Sequence, residues 1–163
     1  MRKLFLFLFI MLANVTFAQQ TVTKITHKKA IKTDVVTTGT MTIQKPEYIC
    51  ISTDDDKDRL VMDGTRFSIT MGNKMHTTDS RQNAQFQTLH KVLKAVINGQ
   101  PMPPCDDLTV SDQDGLRTIT IEPKKKKRQL FTSFVLVVDG KTMAFQSLRM
   151  NGHNDSYTEY QFK

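Results

Sequence analysis

Two periodicities divide this chain. From Gly39, residues Met41 and Ile43 alternate with Thr40, Thr42 and Gln44 until Lys45 and Pro46 interrupt, the period-two pattern of a half-buried strand. Tyr48 to Ser52 reads as a second strand. Arg59 to Met62 and Arg66 to Met71 alternate on either side of Asp63-Gly64, a strong hairpin signal. A short arm, Met75 to Thr77, follows the turn at Gly72 to Lys74. The spacing then changes. Phe86, Leu89, Leu93, Val96 and Ile97 recur at helical intervals and predict one helix within Arg81 to Asn98, N-capped by Asp79 or Ser80 and ended by Gly99. Strand patterning resumes over Leu108 to Ser111, Leu116 to Ile121, Leu130 to Val138 and Met143 to Met150. Turns are predicted at Asp114-Gly115, Asp139-Gly140 and Asn151-Gly152, and a closing strand carries Tyr157, Tyr160 and Phe162. Thr21 to Lys32 reads as a further strand. Consecutive hairpins around a single helix predict a mainly β (α+β) fold on an antiparallel meander.

The amino terminus adds a different pattern: basic Arg2 and Lys3, an unbroken apolar run from Leu4 to Leu12, then Thr16-Phe17-Ala18. This predicts a secretory signal cleaved after Ala18, since the run is too short for a hydrocarbon core of about 30 Å. Taking 18 from 163 residues leaves 145, one domain over 19–163. Losing Arg2 and Lys3 lowers the formal charge from +7 to +5. A mildly basic secreted domain suits an anionic membrane surface better than nucleic acid. Export places Cys50 and Cys105 in an oxidising compartment. There they either pair, closing a loop worth about 4 kcal/mol in the chain-entropy model, or remain free thiols.

Candidate chemistry is sparse. No nucleophile-elbow, Walker, HExxH or GxGxxG pattern occurs and no Cys/His spacing suits a metal, so neither catalysis nor a cofactor is expected. The acidic cluster Asp54 to Asp58 lacks the glycine and spacing of a calcium loop and reads as a solvated turn. His90 reads as a surface or edge residue of the helix, and His27, His76 and His153 sit near strand ends or turns. Lys124 to Arg128 forms a basic loop between strands. It is either a solubilising loop tip or a contact for anionic headgroups or an acidic partner, at roughly 1 kcal/mol per basic residue near such a surface. Met41, Met62, Met71, Met75, Met143 and Met150 lie in or beside strands. Methionine fills irregular apolar volumes, and composition leaves open whether these are packed core or cavity wall.

The order of the motifs resembles the outer-membrane lipoprotein carrier (LolA-like) family. The carrying strings are Gly39 to Pro46 (GTMTIQKP), Leu60 to Phe67 (LVMDGTRF), the helix after Thr78, Ile119 to Pro123 (ITIEP) and Tyr157 to Phe162 (YTEYQF). The resemblance implies an incomplete β-barrel, or strongly curved antiparallel sheet, with a helical lid over an apolar cavity. It implies a monomeric periplasmic carrier that takes acylated lipoproteins from an inner-membrane lipoprotein-releasing transporter to an outer-membrane acceptor. One long acyl chain represents about 12 kcal/mol of burial. Carried over by position, the acyl-binding face is Met41, Ile43, Ile49, Ile51, Phe67 and Ile69, covered by Phe86, Leu89 and Leu93. Lys45, before Pro46, stands where the family has a basic lid latch. The chain departs from the family in two ways: Gln19 to Val35 is Thr/Lys-rich rather than an amphipathic helix, and tryptophan is absent. Both imply a smaller lid. Two other readings stay open: a lipid-sensing envelope-stress module on the same fold, and a structural secreted β-domain with a filled core.

Overall fold

In the computed structural model, residues 18–30, 32–124 and 129–163 are described. The expected signal segment up to Phe17 and the Lys125 to Arg128 part of the basic run lie outside the described residues. The chain runs β1 (Ala18–His27), β2 (Asp34–Gln44), β3 (Tyr48–Thr53), β4 (Asp58–Asp63), β5 (Arg66–Met71), β6 (Lys74–Asp79) and α1 (Ala84–Ile97). It continues as β7 (Leu108–Gln113), β8 (Leu116–Ile121), β9 (Ser133–Asp139), β10 (Phe145–Asn151) and β11 (Tyr157–Phe162). All strands join one antiparallel sheet in the order β6-β5-β4-β3-β2-β1-β11-β10-β9-β8-β7. Two meanders are thus sewn together at β1 and β11, with β6 and β7 as free edges. The sheet curls around α1 without closing, as expected for an incomplete barrel.

Register explains why one face of the sheet is apolar. Met41 pairs with Ile51, Ile51 with Leu60, and Leu60 with Ile69. In parallel, Ile43 pairs with Ile49, Ile49 with Met62, and Met62 with Phe67. Directly opposed residues share a face, so these eight side chains form two rows across β2 to β5. The second meander supplies a matching wall: Ile119 pairs with Leu136, Leu136 with Leu148, and Leu148 with Tyr160. At Gly39 the strands approach so closely that a Cβ would lie 2.1 Å from the Ser52 carbonyl oxygen. The glycine therefore permits the tight β2–β3 contact.

Most hairpins sit where the sequence predicts them. Asp114 and Gly115, both at positive φ, form the two-residue loop between Gln113 and Leu116, the geometry that Asp-Gly favours. The earlier hairpin is displaced by one residue: Asp63 pairs with Arg66 and the loop is Gly64-Thr65.

The helix start also differs from expectation. Asp79 is the last residue of β6, and its carboxylate is held by Arg81, including the Arg81 backbone N–H. The cap is instead Asn83, whose side chain accepts from the Gln85 N–H at 3.2 Å. At the other end the Gly99 N–H donates to Val96 and the Gln100 N–H to Ala95, a Schellman closure with Gly99 at φ +61. Nine of the 14 helical residues are buried, more than a single stripe, because the sheet wraps α1 on several sides.

Polar groups fasten this arrangement. Lys24 is only 6% exposed; it lies on the inner face of β1 and donates to the Asp58 carboxylate across the sheet's concavity. Asp58 also accepts from the Gly72 N–H. The acidic cluster is otherwise a turn, with Asp55 accepting from Thr53 and Lys57. Burial, aided by the Asp58 charge, pushes the Tyr160 phenol well above its ordinary pKa. Cys50 and Cys105 are unbridged, Cys50 being buried.

Candidate functional site

The residues proposed for an acyl-binding face do converge. Met41, Ile49, Ile51, Phe67, Ile69, Phe86, Leu89 and Leu93 belong to one buried cluster, with Ile43 partly buried against it. Five of them (Met41, Ile49, Ile51, Phe67 and Leu93) surround a closed pocket, together with Leu60, Met62, Phe145, Leu148 and Phe162. Leu60 and Met62 are implied by their own alternation once register is known. Phe145, Leu148 and Phe162 come from the far meander, and nothing local in the sequence brings them to this spot.

The hollow implied by the family resemblance is not preformed. The closed pocket holds about 10 Å³, room for no more than a water-sized sphere. Six apolar helix side chains occupy the space beside the sheet: Phe86, Leu89, Val92, Leu93, Val96 and Ile97. Phe86 anchors an aromatic group, with ring centroids 5.0 Å from Phe67, 5.8 Å from Phe134 and 6.4 Å from Phe131. An alkyl chain enters this interior only by displacing side chains.

An open groove of about 630 Å³ lies beside it, within the size range of ligand sites. It runs between β5–β6 and the helix amino terminus on one side, and Gln129, Leu130 and His153 on the other. Its floor includes Phe67, Ile69 and Phe86. Leu130, expected in strand β9, instead precedes it. The neighbouring Phe131 N–H donates to the buried Gln85 side chain at 2.8 Å, which diverts this segment from the sheet to the helix.

The helix is tied down by Thr88, which donates to the Asp107 carboxylate at 2.8 Å, and by Glu47 in the β2–β3 turn. The Glu47 carboxylate meets His90 at 3.1 Å and also pairs with Lys94. Lys94, and then His90, hold the Glu47 carboxyl below its ordinary pKa of 4.5 against the opposing effect of burial. His90 reaches Ser80 through its other ring nitrogen and is half-buried at the edge of the helix's packed face. The Asn98 side chain adds a 2.9 Å bond to the Pro46 carbonyl. Lys45, the expected latch, is exposed in the β2–β3 turn; the contacts to the helix come from its neighbours Pro46 and Glu47. The Glu47 signal was present in the sequence as the sole acid of that turn.

Other candidates resolve simply. His27 stacks on Tyr157 and contacts Asp34, and His153 contacts the Gln129 carbonyl. Lys124 pairs with Asp106 at the surface. Met41, Met62 and Met150 are buried, whereas Met71 and Met75 are exposed. Among the described residues, no group of three or more His, Cys, Asp or Glu side chains converges to hold a metal ion, and none of the helices is long and apolar enough to cross a membrane.

The family model described as "Outer membrane lipoprotein carrier protein LolA" matches residues 12–163. No curated protein matches the sequence. Solved structures that align include a LolA superfamily protein from Nitrosomonas europaea, at 7% identity, 92% coverage of this chain and 85% of that one, with a TM-score of 0.36. Another is an outer membrane lipoprotein-sorting protein domain from Vibrio parahaemolyticus, at 7% identity, 93% and 85% coverage, with a TM-score of 0.40.

Proposed function

This chain belongs to the LolA outer membrane lipoprotein carrier family, whose members are non-catalytic periplasmic proteins, and from that premise we propose that it binds lipoprotein acyl chains between its curved sheet and its helix. In this reading a signal segment ending at Ala18 directs export. The mature 19–163 domain, acting as a monomer, receives acylated lipoproteins from a releasing transporter in the inner membrane and passes them to an outer-membrane acceptor.

The observation that carries the proposal is the pair of apolar rows across β2 to β5, covered by a single helix. Magnitudes make an exchange feasible. A chain of about 15 methylenes gains roughly 12 kcal/mol on burial. The six apolar side chains of α1 represent on the order of 9–18 kcal/mol if all were exposed. The two quantities are of similar size, so acyl chain and helix can compete for the same surface without either being trapped. Handover requires that balance. The absence of tryptophan, and of a helix before α1 among the described residues, fits a single-helix lid.

The filled interior also suits a structural β-domain. Native mass spectrometry of protein purified from its own periplasm separates the two. A stoichiometric acylated species is expected for the carrier, together with lipoprotein mislocalisation when the protein is depleted. Consistently empty protein and normal lipoprotein sorting would sink the carrier reading.

A further inference from the structure

Phe67 occupies an unusual position: it lines both the open groove and the closed apolar pocket. Only 1% of it is exposed, so its side chain lies between the two spaces. The two ends of α1 are also held differently. Toward the carboxyl end, Glu47 pairs with His90 and Lys94, and charge-assisted bonds are roughly twice as strong as neutral ones. In the first turn the holding bonds are neutral, from Asn83 to Thr78 and from Phe131 to Gln85. One turn further on, Thr88 donates to the Asp107 carboxylate at 2.8 Å, so the neutral holding is confined to the turn that borders the groove.

The groove wall also contains an unmet demand. Gln129 Oε1 is buried with no hydrogen-bond partner, the only such side-chain atom among the described residues. A buried acceptor left unpaired is costly, and an N–H donor from a ligand would satisfy it. An amide-linked acyl chain carries such a donor next to its hydrocarbon; an ester of the same chain does not.

Building on the carrier reading, we propose that this groove is the mouth through which an amide-linked acyl chain is admitted, with Phe67 as the movable partition and Gln129 as the acceptor for the amide N–H. The hydrocarbon passes Phe67 toward the apolar rows while the polar link stays at the rim.

Because the chain has no tryptophan, a single introduced indole reports position. Leu130→Trp places it in the groove and Lys45→Trp at the opposite end of the helix; His76→Trp, on the facing wall, substitutes if the first variant does not fold. The probe is a dibrominated stearoyl chain amide-linked to cysteine methyl ester, with complex formation followed independently by native mass spectrometry. Bromine quenching of at least half the Leu130→Trp emission is expected, with little change for Lys45→Trp. Stronger quenching at Lys45→Trp in a stoichiometric complex overturns the groove alone. No complex with wild type or either variant overturns the carrier reading and the groove with it. Gln129→Leu should lose about five-fold in preference for the amide over the corresponding ester, the size of one net hydrogen bond, read as the ratio of the two affinities. An unaltered preference removes Gln129 from the proposal.

Discussion

Truncating Leu93 to alanine separates an acyl-binding interior from an ordinary core. Leu93 is 3% exposed and borders the closed pocket from the helix side. With almost no free volume there to collapse into, Leu93→Ala should cost about 2.7–5 kcal/mol, lowering Tm by roughly 6–15 °C for a domain of this size. Leu136→Ala is the control. Leu136 is fully buried in β9 but does not line the pocket, so its loss should be similar. The two diverge when a stearoyl cysteine amide is added. If the interior receives hydrocarbon, the vacated space accepts about three more carbons, worth about 2 kcal/mol at 0.8 kcal/mol per methylene, or roughly 30-fold in Kd. Urea denaturation with and without ligand reads this directly. Ligand at 100 times its Kd adds about 2.7 kcal/mol to wild type, and Leu93→Ala should gain about 2 kcal/mol more than that at the same concentration. Equal ligand rescue of Leu93→Ala and Leu136→Ala would show that the hydrocarbon binds elsewhere.

Three further outcomes follow from particular contacts. Lys24→Met leaves Asp58 without its buried partner and should cost about 3–5 kcal/mol in urea denaturation, most of it recovered by adding Asp58→Asn; a loss below about 1 kcal/mol would mean that the pair does not bridge the sheet. The folded-state pKa of Glu47 lies below its ordinary 4.5, so its contribution to stability is complete above that value and disappears as pH falls through the depressed one. Glu47→Gln should therefore be less stable than wild type at neutral pH and show a shallower acid-side decline, and parallel pH profiles would count against the tether. Gly39→Ala forces a methyl against the Ser52 carbonyl and should lose about 1–3 kcal/mol or more, measured by thermal melting; a neutral result would mean that β2 and β3 separate easily.

Much of this architecture is legible in the residue order. The alternation through β2, β4, β5 and β8 and the Asp-Gly turns are local properties of short segments, as is the helical spacing from Phe86 to Ile97. Backbone geometry expresses them wherever the chain lies. The cap at Asn83 was less accessible, because Asp79 is an equally good capping residue until β6 and Arg81 engage it. Leu130 carried apolar character suited to a strand, yet the buried Gln85 carboxamide drew the following residue out of the sheet.

By itself, the sequence determined most of the strands, the helix of the described residues, and the alternation that puts Met41 with Ile43, Leu60 with Met62 and Phe67 with Ile69 on common faces, since periods of two and of about 3.6 residues are written into side-chain order. Only the tertiary structure decided that Phe145, Leu148 and Phe162 meet Leu93, that Lys24 spans to Asp58, and that Glu47 rather than Lys45 contacts the helix. It also decided that side chains fill the apolar interior. Whether facing side chains leave a void depends on sheet curvature and on how deeply the helix sits, and both are set by contacts between residues far apart in the chain.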